Sequence, residues 1–241
     1  IYNSIYKMRK IRTTFFYFFF YTWTIIFFIV FSPVKFFTRN FVVKLSNLWS
    51  LIINFLCVRI LGVSVIVYGK NNIPRNKSIL VASNHQSAWE TFFFTFLFDD
   101  PIFILKKELR FIPIMSWYFK KLGFIFIDRS KGLNSLKHII NSIKKLKDKS
   151  PKTFIIFPEG TRLLPGEKKE LLAPGVFAIR KILNLPVIPV IHNSGEYWHN
   201  KKFLKTQGTI NVRIFPELKS QDKEVFFNEL KDYFYCKKSS Q

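Results

Sequence analysis

From Thr13 to Ser32 the chain runs TTFFYFFFYTWTIIFFIVFS, 20 positions without a charge. A helix rises 1.5 Å per residue, so this run extends about 30 Å, the thickness of a bilayer's hydrocarbon core. Pro33 then ends it. Lys7, Arg9, Lys10 and Arg12 precede the run and Lys35, Arg39 and Lys44 follow it, so flanking charge does not fix an orientation. A secretory signal also has a basic start and an apolar middle. Here the apolar part is long, and Ser32-Pro33-Val34-Lys35 offers no small-x-small cleavage site, so the run reads as a retained anchor.

Residues 41 to 61 predict a second helix. Lys44, Asn47, Ser50 and Asn54 recur three or four apart as a narrow polar stripe, and the remaining positions are largely apolar. Such a helix suits a bilayer interface or a protein core equally well. From Val63 the period changes. Strands are expected near 63–67, 78–83, 102–105, 124–127, 153–157, 187–191 and 210–215. Helices are expected over 87–98, 114–121, 132–147, 175–183 and 223–235. This alternation predicts an α/β fold, a mixed or mostly parallel sheet flanked by helices, preceded by one or two membrane-associated helices. The natural division is an N-terminal anchor over 1–62 and an α/β domain over 63–241. On that division the domain should survive removal of residues 1–34.

Composition excludes several classes. Two cysteines, Cys57 and Cys236, make no disulfide framework, and His85, His138, His192 and His199 lack metal-ligand spacing, so no metal and no cofactor are expected. A net charge of +23 invites a nucleic-acid reading. No nucleic-acid module accompanies it, and Phe, Ile, Asn and Lys are abundant together, as AT-rich codons would produce. The charge would still draw the chain toward an anionic lipid surface or an acidic protein.

Chemistry is concentrated in two short runs. The first is Asn84-His85-Gln86-Ser87-Ala88-Trp89-Glu90, where Glu90 is the first acidic residue of the chain. A carboxylate beside a histidine fixes the imidazole tautomer and stabilises the imidazolium, which makes the histidine a general base. The same residues fit a capping box, with Ser87 at the N-cap and Glu90 at N3. The two roles are compatible. The second run is Phe157-Pro158-Glu159-Gly160-Thr161-Arg162. A Gly-x-Ser-x-Gly nucleophile elbow is absent from the sequence.

In this order the motifs resemble the glycerolipid acyltransferase family, the group of lysophosphatidic acid acyltransferases. Four blocks carry the resemblance: His85 to Glu90; Lys106, Glu108, Pro113 and Gly123 with Phe126-Ile127-Asp128-Arg129; Phe157 to Arg162; and Val187-Ile188-Pro189-Val190. Glu90 stands where the family usually has Asp, Ser116 where Gly is common, Leu163 where Ser is frequent, and Ala173 where Lys often occurs. The resemblance implies acyl transfer from a thioester of acyl carrier protein or coenzyme A to the sn-2 hydroxyl of lysophosphatidic acid. It implies His85 and Glu90 as the catalytic pair and Glu159, Gly160, Thr161 and Arg162 as the phosphate-bearing acceptor's site. Glu159, unable to favour a phosphate itself, is expected on the glycerol hydroxyl or orienting Arg162. Lys106 and Arg129 are further candidates for the anion, against a solvated lysine and an Arg129–Asp128 ion pair. Other lysophospholipids or glycerol 3-phosphate are alternative acceptors, and a non-catalytic binder of anionic lipid is the alternative class. Phe92, Phe93, Phe94, Phe96 and Phe98 line an acyl tunnel or simply pack a core. Membrane lipids are expected partners, at the inner cell membrane with the site facing the cytoplasm.

Overall fold

The computed structural model describes residues 2–235; the side chain of Arg129 and residue Cys236 lie outside the described set. Two long helices come first, α1 (Tyr2–Val30) and α2 (Arg39–Leu56), the latter running on as a wider turn through Cys57–Leu61. Pro33 begins the reversal between them. Arg12 donates to the Ile60 carbonyl (2.9 Å) and Trp49 to Thr24 Oγ1 (3.3 Å), so the two helices lie antiparallel. Gly62 closes the turn in the left-handed region (φ 67°).

The α/β part follows in the order β1 (Val63–Tyr68), β2 (Ile79–Ser83), α3 (Trp89–Leu97), β3 (Pro101–Lys106), α4 (Met115–Leu122), β4 (Ile125–Ile127), α5 (Gly132–Lys147), β5 (Thr153–Ile156), α6 (Gly175–Leu183), β6 (Val187–His192), α7 (Ser194–Tyr197), β7 (Gly208–Ile214) and α8 (Lys223–Tyr235). The seven strands form one sheet in the order β1-β7-β6-β2-β5-β3-β4. The run β6-β2-β5-β3-β4 is parallel throughout, β7 is antiparallel to β6, and β1 is parallel to β7. The sheet is therefore mixed and mostly parallel, as the alternation of elements predicts.

Strand β2 is buried at every position, as a central parallel strand covered on both faces should be. Its side chains alternate between two cores. Ile79 and Val81 join the core beneath α1, α2 and α3; Leu80 and Ala82 join the core beneath α5, α6 and α8. Helix α5 shows why its sequence is helical: Leu136, Ile139, Ile140, Ile143 and Leu146 line the face toward that second core, opposite a lysine-rich face.

Several side chains of the first 62 residues pack into the α/β part. Phe16 of α1 is fully buried against Trp198 (ring centroids 5.3 Å), in one cluster with Ile53, Leu61, Phe92 and Val212. Phe27 and Val34 join α4 through Tyr118 and Leu122. Arg9 donates to the Lys205 carbonyl (3.0 Å) and to Thr206 Oγ1 (2.6 Å). The apolar core thus runs across position 62 without a break. Both helices are long and apolar enough to cross a membrane by length and composition. Their outward faces expose Phe15, Phe18, Ile25, Ile29, Leu51 and Phe55, while their inward faces belong to the α/β core.

Candidate active site

The four parallel strands β2, β5, β3 and β4 are neighbours in the sheet, and each ends at a motif: His85 after β2, Glu159 after β5, Lys106 at the end of β3, Arg129 after β4. Motifs spread over about 80 residues of chain are thereby brought to one edge, the carboxyl edge where ligands of α/β sheets bind. Lys106 and Ile127 are register partners, which places Lys106 and the Arg129 backbone on adjacent strand ends. Lys106 is exposed there. Asp128 pairs with Lys107 at 2.6 Å and accepts from Ser130.

His85 and Glu90 are in contact. Nδ1 of His85 lies 2.8 Å from Oε1 of Glu90, and the imidazole stacks on Phe157 (centroids 4.1 Å, planes 21° apart). Glu90 is fully buried at the start of α3 and gathers donors from three places. Oε1 accepts the amides of Gln86 and Ser87, both at 2.9 Å, as well as His85. Oε2 accepts the hydroxyls of Ser87 (2.6 Å) and Ser194 (3.1 Å). Burial alone would raise the Glu90 pKa. The neighbouring His192 imidazole, with the hydrogen bonds from His85 and Ser87, outweighs it and holds the carboxyl at about 2. Glu90 is ionised at neutral pH. Facing it, His85 keeps its proton on Nδ1, and Nε2 is the nitrogen that can accept another.

The capping geometry is present alongside this contact. The Glu90 carboxylate accepts the Ser87 amide, which is the glutamate half of a capping box. The helix is regular from Trp89, with Ala88 at its boundary, while Ser87 Oγ donates to Glu90 Oε2 and accepts the Trp89 amide. One carboxylate therefore caps the helix and holds the imidazole.

The Phe157–Arg162 run is fastened to His85 at both ends. Oε2 of Glu159 accepts the His85 amide at 2.6 Å, and the Leu163 amide donates to the His85 carbonyl at 2.8 Å. Gly160, between them, takes φ 71° as its amide closes a turn onto the Phe157 carbonyl. A Cβ there would be strained, so this turn requires glycine. Glu159 is only 2 % exposed, and its other oxygen accepts the Tyr235 hydroxyl at 3.0 Å. Both of its oxygens are held by protein donors, the His85 amide and the Tyr235 hydroxyl, and the side chain points inward. Burial, with the nearby Glu90 charge, pushes its pKa up to about 7 against the donors. Thr161 and Arg162 are exposed.

Arg162 also borders a cavity of about 240 Å³. Its walls are apolar, with Phe27 from α1, Trp49 from α2, Phe92 from α3, Phe103 from β3 and Tyr118 from α4, and Thr91 adds a hydroxyl beside Glu90. Of the phenylalanines of α3, Phe92 lines this cavity; Phe93 and Phe94 are core residues, with Phe93 stacked on Trp89.

Behind the pair lies a buried polar layer that motif reading did not find. Asn84 exchanges two hydrogen bonds with the backbone of His192 (2.9 and 3.0 Å), joining the end of β2 to the end of β6. His192 is buried, and desolvation lowers its pKa. Ser194 follows it and reaches Glu90. The signal for this layer was positional: polar residues directly after the Val187–Val190 block, at the same sheet edge. Among the described residues no group of three or more His, Cys, Asp or Glu side chains could hold a metal ion.

Comparison with known proteins agrees with this architecture. A family model described as Acyltransferase matches residues 64–193. The chain is 34 % identical over 198 residues to the 1-acyl-sn-glycerol-3-phosphate acyltransferase of Pseudomonas aeruginosa, covering 82 % of this chain and 75 % of that protein. It is 27 % identical to the enzyme of the same name from Saccharomyces cerevisiae, covering 67 % of this chain and 54 % of that one. The crystal structure of the 1-acyl-sn-glycerophosphate (LPA) acyltransferase PlsC from Thermotoga maritima superposes with a TM-score of 0.74 at 24 % identity, over 92 % of this chain and 95 % of that chain. The match to more than half of the sequence, with a mixed α/β sheet behind two apolar helices, places this chain in the acyltransferase family of enzymes.

Proposed function

We propose that this protein transfers a fatty acyl group from an acyl thioester, of acyl carrier protein or coenzyme A, to the sn-2 hydroxyl of a 1-acylglycerol 3-phosphate. The observation that carries the reading is the 2.8 Å contact between His85 Nδ1 and the buried Glu90 carboxylate, at the edge where the Phe157–Arg162 run is pinned to His85. A neutral hydroxyl is a weak nucleophile at pH 7. Nε2 of His85 takes its proton as the oxygen attacks the thioester carbonyl, and Glu90 stabilises the imidazolium. The tetrahedral intermediate collapses, the carbon–sulfur bond breaks, and the imidazolium returns the proton to the leaving thiolate. Base catalysis of this kind is worth ~10²–10⁴ in rate.

Arg162 presents a planar fork to the acceptor's phosphate, with Thr161 as an adjacent hydroxyl donor and Gly160 shaping the turn. Lys106 and Arg129, on neighbouring strand ends, add positive potential on the same edge. The apolar cavity beside Arg162 takes a fatty chain. The exposed apolar faces of α1 and α2 sit in the bilayer, which the basic surface approaches when the lipids are anionic. We place the protein at the inner cell membrane with the site on the cytoplasmic side.

The test is His85→Ala, purified in detergent and assayed with an acyl thioester and a panel of lysophospholipids and glycerol 3-phosphate. Transfer should fall by at least about a hundredfold while membrane binding and melting temperature hold. Activity within tenfold of wild type would remove His85 from the chemistry. Preference for another acceptor in the panel would overturn the substrate assignment alone.

A further inference from the structure

We propose that Tyr235, at the end of α8, is a positioning residue for the acyl-transfer site: its hydroxyl holds Glu159 in the one orientation that ties down the backbone of His85. The inference rests on the proposed role of His85 and adds to it a residue outside the family match at 64–193.

The chain of contacts is short and direct. Tyr235 donates to Oε1 of Glu159 at 3.0 Å, and the His85 amide donates to Oε2 at 2.6 Å. One carboxylate thus joins the last helix to the general base. Both ends of this link make further contacts. Helix α8 is capped by Asp222, whose Oδ1 accepts the amides of Glu224 and Val225 at 2.8 and 2.9 Å. Its apolar face is set in the second core through Phe226 and Leu230, both fully buried, and Tyr233 packs on Phe215 with ring centroids 4.2 Å apart. At the other end, the Leu163 amide fixes the His85 carbonyl. Glu159 is the joint between α8 and the loop that carries His85.

The charge state of this joint matters. An ionised carboxylate accepts a hydrogen bond about twice as strongly as a neutral group. The groups facing Glu159 are Glu90 from α3, which opposes its ionisation; the His85 amide from the loop after β2; Lys169, whose Nζ donates to the Glu159 carbonyl at 2.8 Å; and Tyr235 from α8. Burial and the Glu90 charge push Glu159 up to about 7, and the Tyr235 hydroxyl pulls it down. Removing that hydroxyl shifts Glu159 toward its protonated form near neutral pH, where its grip on the His85 amide weakens.

The experiment is Tyr235→Phe in the full chain, with kcat and both KM values measured from pH 6 to 9, and His85→Ala alongside. We expect kcat at pH 7 to fall by about tenfold, from loss of a hydrogen bond to a charged group. We also expect unchanged KM values, recovery above pH 8, and an acid limb moved to higher pH. In a Glu159→Gln background, which cannot titrate, Tyr235→Phe should shift nothing further. An unaltered pH profile would overturn the proposal. So would a loss by the same factor at every pH, which marks a merely structural residue, or a shift that persists with Gln at 159. If Tyr235→Phe does not fold, the Glu159→Gln acid limb decides: a limb identical to wild type refutes a titrating joint, and a displaced one supports it. An active His85→Ala would overturn both readings; an inactive His85→Ala beside a Tyr235→Phe profile identical to wild type overturns this one alone.

Discussion

Replacing Glu90 by Gln separates its two roles, because glutamine keeps the shape and removes the charge. The carbonyl of Gln can occupy the Oε1 position and still accept from His85 and from the Gln86 and Ser87 amides. Its NH₂ then faces the hydroxyls of Ser87 and Ser194, which can turn to accept. Folding loses mainly charge assistance, about 1–3 kcal/mol. For a chain of this size that lowers Tm by roughly 2–12 °C. Catalysis loses more. Unit charges 4 Å apart interact by about 4 kcal/mol at an effective dielectric of 20. Losing ~3–4 kcal/mol of support for the imidazolium slows the chemical step by roughly 10²–10³. The assay is kcat under saturating substrates, beside a thermal melt of the same detergent-purified sample. Glu90→Asp is the companion: it keeps the charge but withdraws it by about one bond length, ~1.5 Å, and should keep substantial activity. A Glu90→Gln enzyme that melts early yet turns over within tenfold of wild type would refute the argument and leave Glu90 as a helix cap.

Arg162→Lys should raise the KM for the phosphate-bearing acceptor by about tenfold to 150-fold, from ~1.5–3 kcal/mol of lost charge-assisted bonding, with the thioester KM nearly unchanged in steady-state kinetics. Phe16→Ala should cost ~3–5 kcal/mol and lower Tm by roughly 6–20 °C, since Phe16 is fully buried against Trp198; an unchanged melt would show that α1 is not part of the core. Deleting residues 1–34 removes Phe16 from that core and should lower the melting temperature of what remains; a truncated protein that melts as wild type does would support an α/β domain over 63–241 that folds by itself. Glu159, raised to about 7, binds a proton in the folded state between pH 4.5 and 7 that the unfolded chain has released, so stability should fall as pH rises through that window, by roughly 3 kcal/mol. Glu90, held at about 2, acts in the window below: its contribution is present above pH 4.5 and is lost as pH falls toward 2. Denaturation of wild type and Glu159→Gln at several pH values checks this, because the upper slope should vanish in the variant.

The sheet was legible because each strand is a short apolar run between turn residues, and because a run buried on both faces, such as Ile79–Ser83, has one reading in an α/β chain. The amphipathic helices α5 and α8 were legible from period alone. Contacts that depend on three dimensions were not. Glu159 sits in a motif, and its neighbours in sequence suggest an exposed, ligand-facing carboxylate; only the pairing of β5 beside β2 turns it inward onto the His85 amide. Ser194 is 104 positions from Glu90, and nothing local marks it as a donor. Tyr235 reads as one more aromatic on an apolar face. The boundary at residue 62 follows from composition, since the run before it is rich in Phe and free of acid. Composition cannot tell an apolar face turned to lipid from one turned to a protein core, and α1 and α2 have both.

That double use of α1 and α2 decides how chain selectivity can arise. Phe27, Phe28, Trp49 and Ser50, from the two helices, line the cavity that Arg162 borders, while Phe18, Ile25 and Leu51 of the same helices face outward. On the proposed function, a fatty chain leaves a bilayer for this cavity. It exchanges one apolar surrounding for another, so the ~0.8 kcal/mol that each methylene gains on leaving water is largely absent. Affinity for longer chains therefore cannot rest on hydrophobic transfer. What remains is packing: the cavity is walled by Tyr118 and Leu122 of α4 and by Phe27 of α1, and a methylene beyond the available length must displace them at about 1–3 kcal/mol. Selectivity of this kind is a ceiling on length rather than a gradient. It is set by the side chains that also weld the N-terminal helices to the α/β sheet.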